Sequence, residues 1–433
     1  MDNPRKLALQ SLVKSDVQEC YTNIEINTVL SRAALEKSDS ALYTLLYLGV
    51  TEKKMLLDHI INHYSKHDAS EIDPETKNAI RLGLYQLLFT DRIPDYSAVN
   101  ESVLLAPKRS KGFVNAILRS FLRDEKKIEM PSYKWERLSV ERSIPKELIE
   151  LFRGSYGDDV ALELCSYSSK ESYLSLRVNT LKNNTQALCG ELEKRGITYG
   201  CSEYTSDIIK CYCAVGEIKD LIDTGSAFVQ DESSRICSLA LGASKGDKVA
   251  DVCACPGGKT FSMAIDMENC GEIKASDLHQ NKLSLIEKGA KRLGIDIIST
   301  KEQNAKEYVE EYEGAFDKVL CDVPCSGLGI IFKKPDIKYK SIDSIRALPQ
   351  IQYDILKNCS SYVKVGGYLV YSTCTLNKAE NEANVARFLE NNPCFVAEEF
   401  SVGKVSSNEG CYTFMPHITG TDGFFVAKMK RVK

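Results

Sequence analysis

The stretch Cys321-Asp-Val-Pro-Cys-Ser-Gly-Leu-Gly329 puts a carboxylate, a proline and a thiol directly after the apolar pair Val319 and Leu320. The apolar pair reads as the end of a buried strand. In open α/β sheets ligands bind in the crevice beyond the carboxyl ends of the strands, so Asp322 and Cys325 are placed to touch one. A second tip follows in Tyr362-Val-Lys-Val-Gly-Gly-Tyr-Leu-Val-Tyr-Ser-Thr-Cys-Thr375, read as a turn at Gly366-Gly367, an apolar run, and Ser372, Thr373 and Cys374 where the run stops. A free cysteine taken alone is most often a small core residue. Here the two thiols have company: Asp322, Gly327 and Gly329 beside the first, and a third, glycine-rich tip upstream.

That third tip is Lys248-Val-Ala-Asp-Val-Cys253, a buried strand, followed by Ala254-Cys-Pro-Gly-Gly-Lys-Thr260, a tight turn into a helix. Gly271-Glu-Ile-Lys-Ala-Ser-Asp277 is a further strand, and it ends in an acid. Strands alternating with helices predict a parallel, doubly wound, Rossmann-like α/β domain over 226–433. Upstream, 141–225 reads as a small α/β module: Leu174–Val178 alternates with period two, Thr185–Arg195 is helical, and Gly196 ends it. Arg177, Asn179 and Lys182 lie on or just beyond its strand and read as solvated surface, with a phosphate contact as the alternative. Residues 1–140 read as an all-α domain. Leu9, Leu12 and Val13 begin a helical stripe, Asp73-Pro74 is an acid cap followed by proline at the first helical position, and Ser97 reads as another cap. Phe113 to Arg123 is an amphipathic helix with arginines on its polar side.

A chain of 433 residues has room for about three domains. Hydrophobic and charged contents of 43% and 27% are those of an ordinary globular protein. Met1-Asp-Asn-Pro-Arg-Lys6 lacks the apolar segment of a signal peptide, and no apolar run approaches the roughly 20 residues that span a bilayer, so a cytoplasmic protein is expected. Of sixteen cysteines only Cys20 lies in the first 150 residues. The rest scatter, and pairs such as Cys211-x-Cys213 and Cys253-x-Cys255 miss zinc spacing, so reduced thiols without a metal are expected. A net charge of -4 argues against indiscriminate polyanion binding. Local basic clusters stand out at Lys108, Arg109, Lys111, Arg119, Arg123, Lys126 and Lys127, and at Lys333 and Lys334.

The turn Pro256-Gly-Gly-Lys-Thr260 is not a P-loop, because Cys253 stands where that motif needs glycine. Nor is it a dinucleotide fingerprint, since its glycines are contiguous and no third follows. What remains is a turn at Gly257 and Gly258 that lets a ligand approach the backbone, and Asp277 at the next tip, suited to a ribose. A phosphate-free adenosine cofactor beside a nucleophilic thiol is S-adenosylmethionine.

Several motifs together resemble the RNA 5-methylcytosine methyltransferase family: Asp251-x-Cys-Ala-Cys-Pro-Gly-Gly-Lys-Thr260, Asp277, Asp322-x-Pro-Cys-Ser-Gly327, Pro335-Asp-Ile337 and Tyr371-Ser-Thr-Cys-Thr375. Arg177-Val-Asn-Thr180, Gln230-Asp-Glu-Ser-Ser234 and Asp422-Gly-Phe-Phe-Val-Ala427 are similar to its flanking motifs, and the likeness covers about 174–433. Phe113-Val-Asn-Ala-Ile-Leu-Arg119 is similar to the signature helix of the NusB-like domain that distinguishes the small-subunit methyltransferase B branch.

The resemblance implies a methyl transfer from S-adenosylmethionine to C5 of a cytosine in small-subunit ribosomal RNA, by a monomer. It implies Cys374 as nucleophile, Asp322 as the group that protonates the ring at N3, Cys325 as an aid to release, and Lys259 as their cationic neighbour. Cofactor contacts are implied for Cys253, Ala254, Cys255, Pro256, Gly257, Gly258, Lys259, Asp277, Asn304, Asp322 and Pro324. Cys255 replaces the usual alanine, and Asn304 stands where an acid commonly meets the adenine amine, a bond an amide oxygen also accepts. The basic cluster of the helical domain is implied to hold RNA. Transfer RNA as substrate, and a non-catalytic RNA-binding assembly factor, are the alternatives.

Overall fold

The structure, a computed structural model, describes residues 2–18, 21–167 and 173–433; Cys20 lies outside them. Contacts divide the chain into two units. The first comprises the residues up to Ser166 together with Ile331–Lys340. Its centre is the helix Pro74–Phe89, buried over most of its length and started by Asp73, whose side chain accepts from the Thr76 amide. Around it lie Pro4–Val17, Lys37–Glu52, Lys54–Tyr64, Asp95–Leu105 and Lys111–Arg123. Arg81 anchors this core, its buried guanidinium bonded to Asp16 at 2.7 Å and to Asp58 at 2.6 Å. Ser97 is not the cap expected of it: the helix begins two residues earlier, after Pro94.

Three further helices, Lys134–Arg142, Lys146–Tyr156 and Asp158–Ser166, belong to the same unit. Leu148, Ile149 and Phe152 form a buried stripe at helical spacing, which is why this stretch stays helical and the strands begin only at Leu174.

The second unit holds two sheets. The smaller is antiparallel, from β1 (Leu174–Val178), β2 (Tyr199–Cys201), β3 (Ile208–Cys211) and β4 (Ala227–Val229), in the order β2-β3-β1-β4. Its last strand comes from the segment assigned to the catalytic domain on sequence, and Phe228 packs into the core of the larger sheet. Arg177 and Asn179 are not surface groups. Arg177 is 1% exposed and pairs with Asp207 at 2.9 Å and Asp266 at 3.3 Å, carboxylates that Arg235 shares. Burial and the neighbouring Arg235 pull the Arg177 guanidinium down to about 10. Asn179 donates to the Gly225 and Leu293 carbonyls, and Lys182 to those of Thr224 and Arg292. All three residues are taken up in seating the small sheet on the large one.

The large sheet contains β5 (Lys248–Asp251), β6 (Glu272–Asp277), β7 (Ile298–Glu302), β8 (Phe316–Asp322), β9 (Val363–Thr373) and β10 (Phe395–Ala397). After a short hairpin of β11 (Ser401–Val402) and β12 (Val405–Ser406) it is completed by β13 (Cys411–Phe414) and β14 (Phe424–Arg431). The order is β10-β14-β9-β8-β5-β6-β7, with β13 against β14. Strands β5 to β9 pair in parallel, and β14, β10 and β13 extend one edge in antiparallel fashion. From β5 the chain builds outward through β6 and β7 and then returns to place β8 on the other side of β5. Adjacent connections therefore diverge above β5 and β8, which opens a crevice at their carboxyl ends. Gly366 and Gly367 do not form the expected turn: β9 runs through them, and a register shift places Phe316 against Val363 but Lys318 against Tyr368, so the pair forms an irregularity within the strand.

Asp266 receives bonds from two buried guanidiniums. Asp266→Ala leaves that charge uncompensated and is expected to destabilise the second unit by about 3 to 5 kcal/mol, read as a lower urea midpoint by tryptophan-independent circular dichroism. An unchanged midpoint would show that Arg235 and Asp207 suffice.

Candidate active site

Parallel pairing of β8 with β9 sets Cys321 opposite Tyr371 and Asp322 opposite Ser372. The two chains leave the sheet side by side, so the cysteines that follow each strand meet: Cys325 Sγ lies 3.2 Å from Cys374 Sγ. Gly329 locks the arrangement. Its amide donates to the Cys374 carbonyl at 3.0 Å and its carbonyl accepts from Gly423 at 2.9 Å, and a Cβ at Gly329 would stand 1.9 Å from the Gly423 oxygen.

Asp322 uses both oxygens, accepting from Lys259 Nζ at 2.7 Å and from Ser372 Oγ at 2.8 Å. Lys259 comes from the first turn of the helix Gly258–Asp266 and lies 4.9 Å from the centre of the Phe424 ring. Burial works against its charge, but Asp322, with Cys374 also in its field, raises its proton affinity above that of an ordinary lysine. The bond to Cys374 and burial push the Cys325 thiol well above its ordinary range. Cys325 thus favours its neutral form, one thiol of the pair donates to the other, and the Lys259 ammonium lies in the electrostatic field of Cys374.

The other half of the crevice is built by β5 and β6. Asp251, buried at the end of β5, accepts from Thr260 Oγ1 at 2.7 Å. Gly257 turns the chain with φ of 111°, where a Cβ would meet the Phe261 ring at 2.5 Å, whereas a Cβ at Gly258 would find nothing nearer than Gln230 Nε2 at 3.9 Å. The backbone at Gly258 is therefore open to approach. Asp277 accepts from the Cys255 amide at 3.3 Å and the His279 amide at 3.1 Å. Asn304 caps its own turn, accepting from the Lys306 amide at 3.2 Å and donating to Glu307 at 3.0 Å. Burial pushes the Cys253 thiol well above its usual range, and burial with Asp277 pushes Cys255 up to about 12. Both are poor nucleophiles.

A family model described as 16S rRNA methyltransferase RsmB/F matches residues 238–430. Models described as the NusB family and as an RsmF/B-like ferredoxin-like domain match 2–123 and 144–214. The chain is 33% identical over 444 residues to the "Probable ribosomal RNA small subunit methyltransferase B" of Bacillus subtilis, covering 99% of this chain and 98% of that one. To the Synechocystis protein of the same name it is 32% identical over 445 residues, with 100% of both covered. The chain belongs to the RsmB/F family of ribosomal RNA small subunit methyltransferases. A solved structure of a methyltransferase homolog from Pyrococcus horikoshii is 26% identical with a TM-score of 0.60, covering 70% of this chain and 100% of that one.

As a member of this family the chain depends on S-adenosylmethionine. The crevice suits that group in two respects: an open glycine backbone at Gly258 and a carboxylate at Asp277 anchored by the Cys255 and His279 amides. The sequence singled out Gln230 only as part of a flanking motif, and it did not single out Leu278, Cys237 or Glu380, which also lie at or behind the crevice. Leu278, 56% exposed beside Asp277, offers an apolar surface there. Gln230 holds the glycine turn through the Gly258 carbonyl at 3.1 Å and Ser262 Oγ at 2.6 Å. Cys237 is a fully buried thiol, pushed by burial up to about 12, in the electrostatic field of Lys259 and Asp322. Glu380 lies behind the two cysteines. Leu278 carries a signal in sequence, an apolar residue directly after a strand-tip acid, as does Gln230 through its motif; Cys237 and Glu380 carry none.

In the helical unit, Lys108, Arg109, Arg119 and Arg123 are exposed, whereas Lys126 is committed to the Leu87 carbonyl and Asp95. Lys333 and Lys334 lie in the stretch that groups with this unit. Among the described residues no helix is long and apolar enough to cross a membrane.

Burial, reinforced by Asp322, raises the Asp251 carboxyl to about 7. The folded chain therefore favours the acid form. That contribution is complete below the ordinary carboxylate range, near about pH 4, and is lost as the pH rises through about 7. Asp251→Asn keeps an oxygen for Thr260 and cannot ionise. Its melting temperature is expected to gain on the parent's between about pH 4 and about pH 7 and to hold that gain above. A pH-independent difference would place the Asp251 titration elsewhere.

Proposed function

We propose that this methyltransferase modifies C5 of a cytosine in 16S ribosomal RNA through a covalent bond between Cys374 and C6 of the base. The observation that carries the reading is the thiol pair at 3.2 Å beside an Asp322–Lys259 ion pair, at the carboxyl ends of β8 and β9. Cytosine C5 is a weak nucleophile until a thiolate adds at C6 and sends the C5–C6 electron pair onto C5. Lys259 favours the thiolate of Cys374, as a neighbouring cation does. The proton that Cys374 gives up passes by way of Asp322 to N3, so that sulfur adds at C6 and hydrogen at N3, while Lys259 stays an ammonium. Bound S-adenosylmethionine supplies the electrophilic methyl group. Release requires loss of the C5 proton, re-formation of the C5–C6 double bond and departure of the Cys374 sulfur, and Cys325 assists this step. The target base enters the crevice unstacked. The exposed bases of the helical unit, with Lys333 and Lys334, hold the RNA backbone.

On the cofactor side, Gly257 and Gly258 admit the ligand to the backbone between Cys253 and Lys259, Asp277 takes the ribose hydroxyls, Leu278 packs on the base, and Asn304 and Pro324 line the remainder. Asp277→Ala is expected to weaken S-adenosylmethionine binding by about 1 to 3 kcal/mol in calorimetry, the loss of a hydrogen bond to a charged group. Unchanged affinity removes Asp277 from the site.

Unmethylated small-subunit ribosomal RNA with labelled methyl donor, followed by location of the modified base, tests the substrate directly. The two cysteines separate by variant. Cys374→Ala should abolish both methyl transfer and the covalent RNA complex. Cys325→Ala should still attack and accumulate an adduct that survives denaturing electrophoresis, and the double variant should form none. An adduct in Cys374→Ala that is missing from Cys325→Ala would reverse the roles.

A further inference from the structure

Behind the thiol pair lies a polar cluster that the chemistry above does not use. Ser326 and Thr375, the residues directly after Cys325 and Cys374, have their hydroxyls 2.7 Å apart. Beneath them sits Glu380, 0% exposed. Its Oε2 accepts from the Ser326 amide at 2.9 Å and from Gln352 Nε2 at 2.8 Å. Its Oε1 accepts from Ser326 Oγ at 2.6 Å and from Asn377 Nδ2 at 2.9 Å. The backbone carbonyl of Glu380 is engaged as well, accepting from Tyr371 Oη at 2.5 Å. Gln352 extends the cluster to the Pro324 carbonyl at 2.9 Å. The adjacent Asn381 accepts from Thr373 Oγ1 at 2.6 Å and donates to the Thr375 carbonyl at 2.9 Å. The Glu380–Asn381 pair therefore holds the residues on both sides of each cysteine's loop.

A carboxyl group taken fully out of water is costly, and an apolar side chain of the same size is often the more stable solution. What such a group gives in return is a defined geometry, because each of its hydrogen bonds fails if a partner shifts. The bonds here converge on the two loops whose separation decides whether both sulfurs reach the same carbon. We propose that Glu380 is a positioning residue that sets the distance between Cys374 and Cys325. This rests on the reading of Cys374 as nucleophile and Cys325 as its aid in release.

Two measurements on the full-length protein separate the inference from that reading. The first is the rate at which diamide links the two thiols, taken well below the melting temperature. Diamide accepts two electrons and two protons to become the hydrazide as Cys325 and Cys374 become a disulfide, which peptide mass spectrometry identifies. The second is methyl transfer, with its kcat and its KM for RNA. Glu380→Gln replaces two acceptor edges by one acceptor and one donor, so it faces either the Ser326 amide and Gln352 or Asn377 with the wrong group. The disulfide is expected to form at least about tenfold more slowly and kcat to fall by about ten- to a hundredfold, with KM and cofactor affinity within about twofold, the pattern of a misplaced reacting group. Ser326→Ala, which keeps the carboxylate and removes one donor, should shift both readouts the same way and covers the case in which Glu380→Gln does not fold. Wild-type rates of disulfide formation and turnover in both variants would overturn the proposal, even if the base methylated is 5-methylcytosine. Slowed thiol pairing in a protein whose product is some other base would uphold the positioning role and sink the proposed substrate.

Discussion

The register between β8 and β9 is the constraint on which the site depends. Parallel strands that place Asp322 opposite Ser372 leave the sheet at the same level, and everything beyond them is a consequence of that shared exit. The Cys325 and Cys374 loops then have little room. They are pinned by the Gly329 contacts to Cys374 and Gly423, where the backbones approach too closely for any side chain. A one-residue slip of either strand would turn Ser372 away from Asp322, since side chains alternate faces.

Electrostatics acts within this frame. Asp322 and Lys259 reach the same crevice from different strand ends, and Asp322 holds the lysine in its charged form despite burial. The ammonium lies in the electrostatic field of Cys374, and Cys325, bonded to Cys374, is pushed toward its neutral form. The remaining thiols of this region, Cys253, Cys255 and Cys237, are all driven toward the neutral form by burial, so the density of cysteines in the sequence overstates the number that can react.

The seating of the small sheet follows a similar logic on a different scale. Arg177 and Arg235 share Asp207 and Asp266, and Asn179 and Lys182 bond to carbonyls of neighbouring segments. Arginine, lysine and asparagine read as surface residues in a sequence because they usually are exposed. The burial of Arg177, Arg235 and Asn179 is visible only when the partners, tens of residues away, are brought in. The same holds for Glu380, whose partners Ser326 and Gln352 are distant in sequence.

Local order in the chain by itself determined the repeating strand–helix pattern, the strand Leu174–Val178, the helix that starts at Asp73 and Pro74, and the placement of Asp322, Cys325, Cys374 and Asp277 at strand ends. Each depends on periodicity, a cap or a turn residue within a few positions. Tertiary structure alone decided which tips adjoin, that β9 passes through Gly366 and Gly367, that helices persist to Ser166, that Arg177 is buried, and that one carboxylate stands behind both cysteines. The physical reason is range. Capping and amphipathicity act between residues near in sequence, whereas register, burial and charge pairing are fixed by partners that only the folded chain brings within a few ångströms.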